Sequence, residues 1–195
     1  MWRMCQLLLM FACLQLLLDE YKSIRAAGCA LEEGYTPPIT FITVQKRHRA
    51  RFFPKGPDAD DGGGNVRPGM CVDQDVTLAL GYDFYLNSHK GIQGTVRSGH
   101  YHVLLDENNF GADAIQIATY WLCYSFCRCT RSVSKCAPAY YAHLAAERGR
   151  NLLDRESLVE DHASTRSGGS GGSGDRPAPR FYEPNVDIQD AMFFI

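Results

Sequence analysis

Residues 82–108, YDFYLNSHKGIQGTVRSGHYHVLLDEN, constrain the fold most, because polar and apolar residues alternate on both sides of a glycine-containing centre. Period-two alternation is the mark of a strand whose two faces meet different surroundings. The spacing predicts strands over 84–87 and 101–105, the second closed by an Asp106-Glu107-Asn108-Asn109 turn. Such a segment aims cationic and amide side chains one way and apolar ones the other, which suits a polyanion. A second basic stretch, ITFITVQKRHRAR at 39–51, runs from β-branched and aromatic residues into Lys46, Arg47, His48, Arg49 and Arg51, so a strand is expected to end in a cationic cluster. A third, RCTRSVS at 128–134, leads into PAYYAHL at 138–144.

The other elements follow from periodicity and punctuation. A helix is predicted over 7–33, with Leu17, Tyr21, Ile24, Gly28 and Leu31 on its buried face and Asp19, Glu20, Lys22 and Arg25 on its wet side. Gly34 ends it, and Pro37-Pro38 forces extended backbone before the strand at 39–45. Residues 54–69, PKGPDADDGGGNVRPG, read as a mobile loop, and 71–77 as a further strand. Ile115, Ala118, Tyr120, Leu122 and Phe126 mark the inner face of a helix over 111–126, and Pro138 opens another that turns Tyr141, Leu144 and Ala145 inward.

Composition bounds the class. The 195 residues suffice for one ordinary domain. The net charge of −2 hides an asymmetry, since 1–150 carry 16 Lys and Arg against 14 Asp and Glu, while 151–195 carry 4 against 8. A balance so close to neutral says little about nucleic acid, so the argument rests on clustering at 46–55 and 128–135. Eight cysteines are expected to stay reduced in an intracellular chain with this much apolar content. Cys123, Cys127, Cys129 and Cys136 lack the paired CxxC spacing of a zinc site. The apolar run at 7–18 is short for a membrane span of about 20 residues. It also fits a signal peptide after Met1-Trp2-Arg3, so localisation is expected to be cytoplasmic if this run is a helix and secreted if it is a leader.

ITFITVQKRH, then GNVRPG (64–69), FYLNSHKGIQGT (84–95), HYHVLLDEN (100–108), CRCTRSVS (127–134) and PAYYAHL (138–144) fall in one order. Over roughly 17–150 that order resembles the C-terminal half of the PIWI domain of eukaryotic Argonautes. The resemblance implies an α/β chain: a partial ribonuclease H-like (PIWI) fold, a mixed β-sheet flanked by helices that lacks the early strands. It implies four segments: a divergent apolar N-terminus at 1–16, a partial PIWI domain at 17–153, a disordered Gly/Ser-rich linker at 154–185 around SGGSGGSG, and an apolar tail at 186–195 that docks on the domain.

It also implies RNA binding in small-RNA-guided silencing, with contact to the backbone and 5′ end of a guide RNA and to its paired target. Lys46, Arg51, His89, Gln93, Arg97, Arg128, Ser134 and Tyr140 match positions that touch the guide backbone. Arg148 matches an arginine near the 5′ phosphate, and the carboxylate of Ile195 falls near that pocket. Lys and Arg neutralise phosphates, and amide and hydroxyl groups donate to phosphate oxygens, a mode that positions without reading base identity. Leu31 and Tyr35 match part of a pocket for tryptophans of GW-repeat silencing proteins. No membrane partner is implied.

Cleavage in this family uses an Asp, Glu, Asp and His set around two divalent metals. His143 alone carries over, as a vestigial catalytic residue; the helix register places Gln6 where the second Asp belongs, and the earlier carboxylates fall before this chain begins. Asp73 and Asp75 lie outside the set. No cofactor is therefore implied, with Mg²⁺ entering only if missing carboxylates are supplied, and cleavage is not expected. Departures are Val96-Arg97-Ser98 for serine-arginine-proline, Phe126 for tyrosine, Glu147 for phenylalanine beside Arg148, where it can pair with the guanidinium, and the helix-weakening Gly149. Two other readings stay open: an incomplete or partner-dependent fragment with a structural role, and a metal-dependent endoribonuclease completed by missing sequence. Residue by residue, a solvated surface charge, an ordinary bonded histidine and a core tyrosine each remain the rival reading.

Overall fold

A computed structural model of the chain describes residues 15, 17–32, 34–79, 81–153, 182–189 and 191–195. The backbone divides into two compact units, 1–137 and 138–195. The expectations for 1–14 and for the linker 154–181 lie outside the described residues.

The first unit is built on four strands, β1 (Thr40–Gln45), β2 (Met70–Val72), β3 (Tyr82–Asn87) and β4 (Gly99–Asp106), in the spatial order β1-β4-β3-β2. All three pairings are antiparallel, so the described strands contain no parallel component of a mixed sheet. The strand expected at 71–77 ends at Val72, where Asp73 and the positive φ of Asp75 bend the chain away.

Register sorts the side chains by face. Val44 lies opposite Tyr101 and Tyr101 opposite Phe84, while Ile42 pairs with Val103 and Val103 with Tyr82. These residues share one face with Leu86, and helix α2 (Ala112–Leu122) brings Ile115 onto them. Phe84 and Tyr101 stack at 5.2 Å, and the Cys136 N–H donates to the Tyr101 hydroxyl at 3.1 Å. The other face carries Thr43, His102 and Asp83 in one row and Gln45, His100 and Tyr85 in the next. That polar face is buried too: Asp83 is 2% exposed and His100 and His102 are 8% exposed each. The alternation in the sequence thus separates an apolar buried face from a polar buried face, and the cations fall in the loop between the strands.

Helix α1 (Lys22–Leu31), continued backward by a wider turn at Leu17–Tyr21, shows a face the sequence misassigned. Arg25, expected on the wet side, is drawn inward by Glu107 at 2.7 Å, and Leu31 is 84% exposed. Glu107 also accepts from the Tyr21 hydroxyl at 2.6 Å and the Ile39 N–H at 2.8 Å, so one carboxylate holds helix and strand entry together. These donors, Tyr21 first, hold the Glu107 pKa below its ordinary value. A second correction concerns α2: its buried positions are Ile115 and Thr119, followed by Cys123, whereas Ala118 and Leu122 are exposed. Spacing of four residues along the helix explains the line better than apolarity does.

In the second unit, helix α3 (Ala137–Asn151) carries Pro138 in its first turn, where a missing N–H costs nothing. Tyr141, Leu144 and Ala145 are half-buried, as the inward reading requires. The Tyr182 N–H donates to the Leu152 carbonyl at 2.7 Å, returning the chain to the end of this helix. A short turn of helix at Val186–Ile188 follows, and Val186 and Met192 are exposed.

Candidate nucleic-acid interface

Strand β1 ends at Gln45, and the next residue, Lys46, meets the 88–98 loop that joins β3 to β4. Between them is an open cleft of about 430 Å³ lined by Lys46, His89, Lys90, Gly91, Ile92, Gln93, Thr95, Val96 and Arg97. Two side chains fix its walls. His48 Nε2 bonds to the Ser98 carbonyl at 2.7 Å, tying the basic end of β1 to the residue after Arg97. Asn65, buried, donates from Nδ2 to the Gly94 carbonyl at 3.2 Å and accepts the Val96 N–H at 2.9 Å.

The loop that positions Asn65 was expected to be mobile, but its acidic residues pin it. Asp60 accepts the N–H groups of Gly62 and Gly64, and Asp61 those of Gly63 and Asn65. Short polar side chains that bond backbone a few residues onward commonly close such turns. Glycine is required in the cleft wall at Gly91, where an added Cβ would lie 2.5 Å from a Val96 methyl, and favoured at Gly94, with φ +70°. Asn65→Ala is expected to cost about 1–3 kcal/mol, because it leaves a buried N–H and a carbonyl without partners. Urea denaturation checks the cost, and an unchanged midpoint would show the brace to be dispensable.

Electrostatics set the character of the cleft. Its lining holds three permanent cations, Lys46, Lys90 and Arg97, and no carboxylate. Burial lowers the Lys46 pKa, and the charges of Lys135 and Arg97 push it further down. Burial likewise lowers that of His89 to about 4, with help from the Lys46 charge. The His89 Nδ1 atom is buried without a hydrogen-bond partner. Like charges gathered in one concavity cost free energy unless an anion enters it.

Of the residues singled out from the sequence, Lys46, His89, Gln93 and Arg97 come together here. Arg51 does not line the cleft; its guanidinium turns back to the carbonyls of His48 and Ala50 at 2.9 and 2.7 Å. Arg128 is exposed, whereas Ser134 is buried on a segment held by a Ser88 hydroxyl bond to the Val133 carbonyl. Tyr140, His143, Arg148 and Ile195 belong to the second unit. There His143, Glu147 and Arg148 are exposed, and Glu147 and Arg148 form no ion pair among the described residues. Lys90 escaped the sequence reading, although it directly follows His89, and Lys135 entered it only as the end of the basic stretch 128–135. Asn65 was quoted only within the GNVRPG motif and its glycine-rich run, which do not mark it as a brace. Leu31 and Tyr35 are exposed on and just after α1.

The metal set of cleavage does not fit the described residues. Among them, the one group of three or more His, Cys, Asp or Glu that draws ligand atoms together contains neither His143 nor any cysteine. Asp73 instead accepts a hydrogen bond from Gln116 at 2.9 Å.

A model of the Piwi domain family matches residues 12–154. The chain belongs to the Piwi-domain family. Among relatives of this Piwi chain, argonaute 11 of Oryza sativa subsp. japonica is 49% identical over 187 residues, covering 92% of this chain and 21% of that protein. Argonaute 5 of Arabidopsis thaliana is 53% identical over 156 residues, covering 78% of this chain and 15% of that protein. The Piwi chain therefore spans about a fifth of the length of such relatives. In structure it is similar to the C-terminal lobe of a budding yeast Argonaute, with a TM-score of 0.73 and 30% identity over 93% of this chain and 37% of that one. It is similar also to Kluyveromyces polysporus Argonaute solved with a guide RNA, with a TM-score of 0.62 and 37% identity over 69% of this chain and 18% of that one. These likenesses agree with the partial ribonuclease H-like α/β fold expected from the motifs.

Proposed function

We propose that this Piwi chain binds the sugar-phosphate backbone of a small guide RNA in RNA silencing, and that these 195 residues do not cut the paired target. The carrying observation is the cleft, whose lining gathers Lys46, Lys90 and Arg97 and contains no carboxylate, Asp61 acting on Lys90 from outside that lining. His89 and Gln93 add neutral groups that hydrogen-bond phosphate oxygens, and the cleft reads charge and shape rather than base edges. The K. polysporus relative was solved with a guide RNA, which supports the same class of ligand here. The absence of cutting is supported by Gln6 at the position of a family Asp and by an exposed His143 that shares no ligand cluster among the described residues.

Fluorescence anisotropy with a 5′-phosphorylated single-stranded RNA across a salt series tests this reading. The Lys46→Ala, Arg97→Ala double variant is expected to lose on the order of tenfold or more in affinity, and its log–log salt slope to fall by about 1.4, since each phosphate contact on a single strand contributes about 0.7. Arg128→Ala, outside the cleft, is expected to lose less. Equal affinity and slope in the double variant would remove the cleft from the interface. Mg²⁺-dependent product that disappears in His143→Ala would restore the nuclease reading.

A further inference from the structure

On the polar face of the sheet lies a second group of side chains that RNA binding does not use. His100 and His102 are two residues apart on β4, so both rings project from one face. Asp83 on β3 stands directly opposite His102 and brings a carboxylate to the same place from the neighbouring strand. One ligand atom from each residue, all within 4.8 Å of one another, defines a small pocket of donors. A tetrahedral ion with bonds of about 2.0–2.1 Å to nitrogen sets its ligand atoms about 3.3 Å apart, so a modest closing movement suffices.

Asp83 is oriented by the Leu78 N–H at 2.8 Å on Oδ1, and its Oδ2 meets His100 Nε2 at 2.6 Å. His102 is as buried as His100 and its ring lies 4.0 Å from the His100 ring, while its nitrogens are not among the buried polar atoms left unsatisfied. Two imidazoles and a carboxylate gathered from neighbouring strands form a nitrogen-rich donor set for one ion.

We propose that Asp83, His100 and His102 form a buried site for a divalent transition metal of the zinc class, which pins β3 to β4 at the foot of the hairpin that carries the cleft loop. Two imidazoles and one carboxylate suit Zn²⁺ and exclude a preference for Mg²⁺ or Ca²⁺, which favour all-oxygen sites. The Leu78 N–H is the outer contact that holds the carboxylate in its ligating pose. Three protein ligands leave a fourth position for water. The proposal stands whether or not RNA is the ligand of the cleft.

The test uses the full chain stripped with a chelator and then titrated with Zn²⁺, and in parallel with Co²⁺ as a spectroscopic stand-in. At a hundredfold excess over Kd, Zn²⁺ is expected to raise the melting temperature by about 5 °C or more. Co²⁺ is expected to give visible tetrahedral bands without the near-ultraviolet charge-transfer band of a thiolate. His102→Gln disturbs no hydrogen bond of the Asp83–His100 pair, and is expected to fold while losing both the thermal rise and the cobalt spectrum. A wild-type chain with no rise and no bands overturns the proposal. So does a His102→Gln chain that retains them, or a thiolate band, which would assign the ion to cysteine. If the variant fails to fold, the wild-type cobalt spectrum decides the ligand class by itself.

Discussion

Phe84→Ala is expected to destabilise the chain by about 3–5 kcal/mol, the usual cost of emptying a fully buried aromatic site. Phe84 has no exposed surface, stacks on Tyr101, lies 5.7 Å from the Tyr82 ring and packs with Leu86 and Ile115. No neighbour is free to fill the void, because Tyr101 is held by the Cys136 N–H and β3 itself is paired with β2 on one side and β4 on the other. Domains of this size are stable by only about 5–15 kcal/mol, so the variant is expected to lose a large share of its cooperative transition. Phe84→Leu keeps most of the volume and is expected to cost about 1–1.5 kcal/mol. Urea midpoints at constant slope measure both; an alanine variant that unfolds with wild type would place Phe84 outside the core.

The second large effect is a loss of stability in mild acid, centred on His89. Its folded pKa, about 4, lies below the ordinary 6.5 because the ring is desolvated and faces Lys46. Above pH 6.5 the group is neutral in both states and contributes no pH dependence. Between pH 6.5 and 4 the unfolded chain takes up a proton that the folded chain refuses, so stability falls as pH is lowered through this window. The loss is about 2–3 kcal/mol, the lower figure allowing for solvent screening of a partly exposed ring. His100 and His102 are shifted the same way and add to the slope. His89→Gln is expected to flatten the dependence of the urea midpoint on pH between 7.5 and 4.5 while leaving the part that belongs to the sheet histidines. Parallel curves for variant and wild type would show that the ring is not held neutral by the fold.

The strands were legible because alternation of polar and apolar residues is a local property. The expected 84–87 and 101–105 fall within β3 and β4, and 39–45 within one residue of β1. Helices were legible in extent and less so in facing. Apolarity suggested Leu31 and Leu122 as buried, yet Arg25 and Thr119 lie on the inner sides instead. An ion pair with a residue 82 positions away decided the first, and four-residue spacing from Ile115 the second. In the cleft, His89, Gln93 and Arg97 could be named together because they share one loop. Lys135 could not, since it reaches Lys46 only through tertiary structure.

Taken alone, the order of motifs determined the family, the α/β class, and which loop and strand end carry the cations. Those properties are written in near neighbours, within a few residues of one another along the chain. Tertiary structure alone decided that β1 pairs with β4 some 60 residues away, that Asn65 braces the cleft, and that Asp83 faces His102. The physical reason is that pairing register and burial depend on which surfaces the folded chain brings together, and a period-two pattern specifies a strand's faces without naming its neighbour.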